Sequence, residues 1–297
     1  MTGERVLRLL ATEIRIATDD PGVAGALDYL VPGAEQDVPL RSRVAFSIRR
    51  QADGFALERD GAVCAMVLQR SDLLAELFER IHQAALEPFA DAVRIHAASG
   101  SCGGRAFLAV GPKGAGKTSL ALRLLFDGCR AFGDELVLLR GGQALAFPRK
   151  FYVKEGTIAL IPELAELSGR LPRMRDAQES AIRAFEPGDA GLPWRIEPAR
   201  PEVVLVLEPA FGRPSRVESF PRFRTVQRIL SQANLPEHRK AAAIREICDV
   251  VDGCRTFRLR MGDLDDAGAA AREAIAGLAS GEKVRTVSPD RVAGAQE

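Results

Sequence analysis

The chain has 297 residues, 46% of them hydrophobic, and its 41 basic and 40 acidic side chains leave a net charge of +1. So even a balance supplies no global field to recruit nucleic acid or an anionic membrane, and no apolar stretch approaches the roughly 18–20 residues of a membrane span. Neither is expected as a partner; with no signal-peptide pattern at the start, a cytoplasmic protein of one large or two modest domains is expected.

The first ninety residues read as a small α+β module. Strand patterns cover residues 13–17, 43–49, 55–58 and 62–69, Asp20-Pro21-Gly22 reads as a break, and Asp60-Gly61 as a hairpin turn. Ser71 then reads as the cap of a helix with Leu73, Leu74, Leu77, Phe78, Ile81 and Ala85 at helical spacing, ending near Pro88.

Residues 91–280 read as a second, nucleotide-binding domain, followed by a polar, frayed tail at 281–297. Residues 92–97 form a strand, residues 99–104 a glycine-rich turn, and the apolar run 106–110 the returning strand of a hairpin. That strand runs into Gly111-Pro112-Lys113-Gly114-Ala115-Gly116-Lys117-Thr118, a full match to G-x-x-x-x-G-K-[ST], and a helix opens at Ser119. In this setting inward-turned backbone N–H groups and the positive end of the helix cradle a polyphosphate. A nucleotide is expected there, with Lys117 on the β- and γ-phosphates and Thr118 on Mg²⁺.

Downstream, Asp134 and Glu135 open a buried strand expected to run to residue 139, and a Gly141-Gly142 turn follows. Residues 165–201, rich in Pro, Arg and acids, read as a long surface excursion or lid. Residues 202–209 are a buried strand, residues 222–250 one or two helices broken at Leu235-Pro236, residues 256–260 a last strand and residues 264–278 a closing helix. Five scattered cysteines without metal-ligand spacing read as reduced thiols.

Phosphoryl transfer needs a phosphate cradle, acids for the metal and for the acceptor proton, and positive charge for the transition state. Asp134 and Glu135 suit the two acid tasks. Glu208, ending an apolar strand, has the form of the metal acid of an ordinary phosphate-loop ATPase and is the competing assignment. The chain lacks an Asn/Thr-Lys-x-Asp guanine-reading motif and an LSGGQ-type signature. Of six lysines in all, Lys113, Lys117, Lys150 and Lys154 fall in one segment, which hints at phosphate contacts from Lys154 and Lys150. His96, on a strand expected to pair with the loop-bearing one, is a candidate to orient the acceptor; His82 and His238 read as structural.

Ile95-His96-Ala97-Ala98, the loop itself, Phe132-Gly133-Asp134-Glu135 with Leu136-Val137-Leu138-Leu139, residues 147–156 and residues 257–264 together resemble one family over about residues 93–275. It is the C-terminal domain of HPr serine kinase/phosphorylase and its HPr-kinase-like relatives, which share a fold core with ATP-dependent phosphoenolpyruvate carboxykinase. The resemblance implies an α/β fold class: an HPr-kinase/PEP-carboxykinase-like P-loop core with a mixed central sheet and flanking helices, beside the N-terminal module. It implies roles at the acceptor and metal for His96, Asp134 and Glu135, and a phosphate contact for Lys154. It further implies an ATP-dependent kinase acting on a hydroxyl of a protein, peptide or small molecule, most often a serine, and extends to homo-oligomerisation. The acid pair is Asp-Glu where HPr kinase proper has two aspartates, and the Glu-x-Arg-Gly-x-Gly stretch is missing, so HPr is not the expected acceptor. The alternatives are a P-loop ATPase using Glu208 and a catalytically silent nucleotide-sensing scaffold.

Overall fold

A computed structural model describes residues 3–27, 32–175 and 181–277; the tail expected at 281–297 lies outside them. The chain begins with strands β1 (Gly3–Leu9) and β2 (Thr12–Thr18), helix α1 (Pro21–Leu27), and strands β3 (Glu35–Gln36), β4 (Ser42–Gln51), β5 (Gly54–Arg59) and β6 (Ala62–Val67). Five of these strands form a sheet in the order β1-β2-β4-β5-β6, covered by helix α2 (Arg70–Leu86). Alternation drives it: Val44, Phe46 and Ile48 point inward while Arg43 and Ala45, on the opposite face, stay exposed. The Asp60-Gly61 turn has positive φ at both residues, 51° and 84°, as a tight hairpin requires. Two local expectations are corrected. Asp20-Pro21-Gly22 starts a helix rather than breaking the chain, because the Val23 N–H donates to Asp20 Oδ1 at 3.0 Å. Helix α2 starts at Arg70, and the Ser71 hydroxyl bonds its neighbour Asp72 instead of capping.

The chain continues through β7 (Val93–Ile95), β8 (Ala97–Cys102), β9 (Arg105–Val110), α3 (Lys117–Phe126), β10 (Arg130–Gly133), β11 (Val137–Arg140), β12 (Gln143–Ala146), β13 (Phe151–Lys154), α4 (Glu155–Leu160) and α5 (Pro162–Leu167). It ends with β14 (Arg173–Arg175), β15 (Ala181–Phe185), β16 (Arg195–Ile196), β17 (Val203–Pro209), β18 (Arg216–Ser219), α6 (Arg222–Leu230), β19 (Ala233–Asn234), α7 (Lys240–Asp252), β20 (Arg255–Met261) and α8 (Leu264–Ala276). The largest sheet is mixed, in the order β10-β8-β9-β17-β20-β18, with β9, β17 and β20 parallel. Its middle is apolar on both faces. Phe107, Leu205, Leu207 and Leu259 pack with α3 and α8, while Leu108, Val110, Val204 and Val206 pack with α6 and α7. A strand buried on both sides must be continuously apolar, which is how residues 203–207 read. The protein is a mixed α/β structure of several sheets with flanking helices.

Three further expectations change. Residues 99–102 are strand, and the turn narrows to Gly103 and Gly104, both at positive φ. Gly100 is glycine for close packing: a Cβ there would lie 2.2 Å from the Arg130 carbonyl oxygen and 2.9 Å from the Phe107 ring. The described part of the excursion at 165–201 is anchored in the core: β15 pairs with β13, Phe185 is fully buried, and the buried Trp194 indole donates to the Phe132 carbonyl at 3.2 Å. Polar composition concealed these few large anchors.

The cysteines are not all reduced: Cys102 and Cys129 form a disulfide, with Cα atoms 4.6 Å apart. They lie 27 residues apart in sequence, but the antiparallel pairing of Ser101 with Arg130 brings the strand ends face to face. The bond closes β9, the glycine loop and α3 into one covalent ring, which the chain-entropy argument values at about 3–4 kcal/mol. Cys129→Ser is therefore expected to lower the melting temperature under non-reducing conditions. Dithiothreitol should bring the wild type down to the variant; a wild type indifferent to it would contradict the pairing.

Candidate active site

Strand β9 ends at Val110, and residues 111–116 wrap back before α3 begins at Lys117. The turn depends on its glycines. Gly114 and Gly116 sit at φ +81° and +90°, and a Cβ on Gly116 would lie 3.0 Å from the Met261 methyl. A Cβ on Gly111 would approach the Leu207 carbonyl oxygen and the Ala115 side chain to 3.0 and 3.1 Å. The Ala115 N–H donates to the Pro112 carbonyl at 3.1 Å, closing the turn. Lys117 is only 6% exposed; its Nζ arches back to donate to the carbonyls of Gly111, at 2.8 Å, and Pro112, at 3.2 Å. Burial lowers its pKa, while the nearby Glu135 and Asp134 carboxylates oppose that shift. Lys113 is exposed on the loop, and the Ser119 hydroxyl meets that of Thr157 in α4 at 3.0 Å.

The acid pair does not open a strand. The expected strand is two, and Asp134 and Glu135 occupy the bend between β10, in the large sheet, and β11, which pairs with β7 in another. The bend turns the two carboxylates to different surroundings. Asp134 is 8% exposed, and the Thr118 hydroxyl donates to its Oδ2 at 2.6 Å. Burial raises its pKa to about 6, Glu135 adding to the rise and the Thr118 hydrogen bond and Arg149 opposing it. Glu135 stays accessible, its Oε1 3.6 Å from His96 Nδ1 and 3.8 Å from Arg149 Nη1.

His96 is also placed differently from expectation. It lies in the break between β7 and β8, not on a strand pairing with β9, and its N–H donates to the Gln232 carbonyl at 2.9 Å. Its Nδ1 lies 2.9 Å from the Glu135 carbonyl oxygen, which makes it the donor in that bond. His96, Thr118, Asp134, Glu135 and Lys117 are thus brought to one edge of the sheet.

Lys154 ends β13, exposed and without an ion pair among the described residues; the Ser119–Thr157 bond holds the start of α4 beside the first turn of α3. Lys150 instead lies 3.8 Å from Glu186 Oε2, away from the acid pair. Glu208 does end β17 beside the loop, but Arg228 and Arg258 hold it at 3.5 and 3.6 Å. Sequence reasoning missed Arg149, which faces Glu135 while its guanidinium stacks over Tyr152, 4.2 Å from the ring centroid. Its Nε is buried without a hydrogen-bond partner in the structure. The focus on lysines hid it, although Arg149 stands next to Lys150.

The donors suit the expected ligands. Magnesium takes hard oxygens, often from one or two carboxylates and substrate phosphates, so Thr118 Oγ1 with Asp134 fits it. No cluster of three or more His, Cys, Asp or Glu able to hold a metal occurs among the described residues. No helix among them is long and apolar enough to cross a membrane.

No protein-family description matches the chain, and none of the curated proteins does. Among solved structures it is similar to the HPr(Ser) kinase/phosphatase from Coxiella burnetii, at 11% identity and a TM-score of 0.30, over 62% of this chain and 95% of that one.

Proposed function

We propose that the protein is an ATP-dependent kinase that transfers the γ-phosphoryl group to a hydroxyl, most readily the serine of a protein or peptide. The observation that carries this reading is the 2.6 Å contact between Thr118 and Asp134, which joins the helix start behind the glycine loop to the acid pair. In this reading the loop from Gly111 to Ser119 binds the polyphosphate through the backbone N–H groups that follow Pro112, and Thr118 and Asp134 hold Mg²⁺, which supplies charge neutralisation when bound. Lys117, already bent over the loop, meets the charge that develops on the transferred group. Glu135, held by His96 and Arg149, accepts the acceptor hydroxyl's proton as that oxygen bonds to γ-phosphorus and the bond to the β-phosphate oxygen breaks. Lys154 adds a second cation at the phosphates.

Incubation with γ-labelled ATP, Mg²⁺ and a panel of serine peptides and hydroxyl metabolites, followed by mass spectrometry, should yield a labelled product. Glu208→Gln should retain most of that transfer, because two arginines already neutralise Glu208, whereas Asp134→Asn should not. If only Glu208→Gln lost turnover, the ATPase assignment would replace the kinase. Tight ATP binding with no labelled product across the panel would favour the scaffold.

A further inference from the structure

The two flanks of the glycine loop differ. Strand β10 runs parallel to β9, since each pairs antiparallel with β8, so Asp134 and Glu135 leave the same sheet edge as the loop, two strands to one side. Strands β17 and β20 follow on the other side and end at that edge too. At adjacent-strand spacing the segment after β17 starts about 5 Å from the loop. A cleft of about 430 Å³ opens there, lined by Glu208, Pro209, Ala210, Phe211, Arg213 and Arg260.

Phe211 is 65% exposed, an aromatic ring left in solvent at the edge where the glycine loop also lies. Its segment is nonetheless tethered: the Ala210 N–H donates to the Met261 carbonyl at 2.8 Å, and the Gly262 N–H to Ser215 Oγ at 3.0 Å. A Cβ on Gly262 would fall 1.7 Å from the Arg213 carbonyl oxygen, so only glycine lets the two turns approach. Arg213 is exposed and has no ion pair among the described residues.

In phosphoryl transfer the attacking and leaving oxygens lie roughly in line through phosphorus. With the acceptor on the acid-pair flank, the leaving nucleoside diphosphate must extend toward the opposite flank, where Phe211 and Arg213 stand. We infer that the segment leaving β17 is the nucleoside subsite: Phe211 stacks on the purine base, and Arg213 meets the α-phosphate. This rests on the proposed kinase reading and adds to it the means of holding the base.

The test compares Mg²⁺-ATP with Mg²⁺-tripolyphosphate by calorimetry on the full chain. Base–aromatic stacking is worth about 1–3 kcal/mol, so Phe211→Ala should weaken ATP binding between about fivefold and 150-fold and leave tripolyphosphate binding unchanged. A Phe211→Trp variant should report ATP, and not tripolyphosphate, as a change in its fluorescence. Wild-type ATP affinity in Phe211→Ala, with tripolyphosphate still bound, would overturn the subsite while leaving the loop's role standing. Failure of the wild type to bind either probe would overturn both. Because Phe211 lies in solvent, these substitutions leave the core untouched.

Discussion

Lys117→Ala is expected to lower phosphoryl transfer by at least about a hundredfold to a thousandfold, the usual cost of removing one preorganised group from a developing charge. Lys117 is buried, and its ammonium is held by two loop carbonyls, so it is fixed before any phosphate arrives. The remaining cations cannot take its place in the closed turn: Lys150 is engaged with Glu186, Arg149 faces Glu135, and Lys113 and Lys154 are exposed rather than buried in it. Lys117→Arg should not restore activity, because a rigid, wider guanidinium cannot make the same point contact within a closed turn. Steady-state turnover and ATP affinity, measured together, check this. Near-native turnover in Lys117→Ala would remove the loop from the chemistry.

The second large effect is expected at Asp134, where activity and stability should move in opposite directions. Asp134→Asn should abolish transfer, since a neutral amide cannot hold Mg²⁺ as a carboxylate does. The same change should stabilise the metal-free protein at high pH. In the fold Asp134 holds its proton up to about pH 6, against an ordinary value of 3.8. The folded state therefore binds this proton more tightly than the unfolded chain, and stability from this group is full below about pH 4 and is lost as pH rises through 6. The ionised form in the fold costs about 3 kcal/mol, and asparagine avoids that cost while still accepting the Thr118 hydrogen bond. With a chelator present, denaturation should show the variant more stable than wild type at pH 8, with the gap closing toward pH 4. A gap independent of pH would show that Asp134 does not ionise in a buried setting.

These two residues mark how far the sequence could be read. Gly111 to Thr118 were legible as a glycine turn between strand and helix because such a turn is local: glycines, lysine and threonine lie within eight positions between an apolar strand and a helix. The central strand at Val203–Pro209 was legible because a strand buried on both faces must be apolar throughout. Asp134 and Glu135 were found as a pair, but their division was not visible. One carboxylate goes into the core against Thr118 and the other toward His96 and Arg149 only because the chain passes there from one sheet to another. His96 was placed within a strand for the same reason, since it sits in the break where β7 and β8, contiguous in sequence, part to different sheets.

The sequence by itself determined the glycine loop, its flanking strand and helix, and the residue types at the candidate site, because each follows from local geometry or short-range periodicity. Tertiary structure alone decided what meets what. It joined Cys102 to Cys129, set Arg149 against Glu135, paired Glu208 with two arginines and left Phe211 bare after β17. Those contacts link strands and helices distant in the chain, and strand order, the property that sets them, leaves no periodic trace in the sequence.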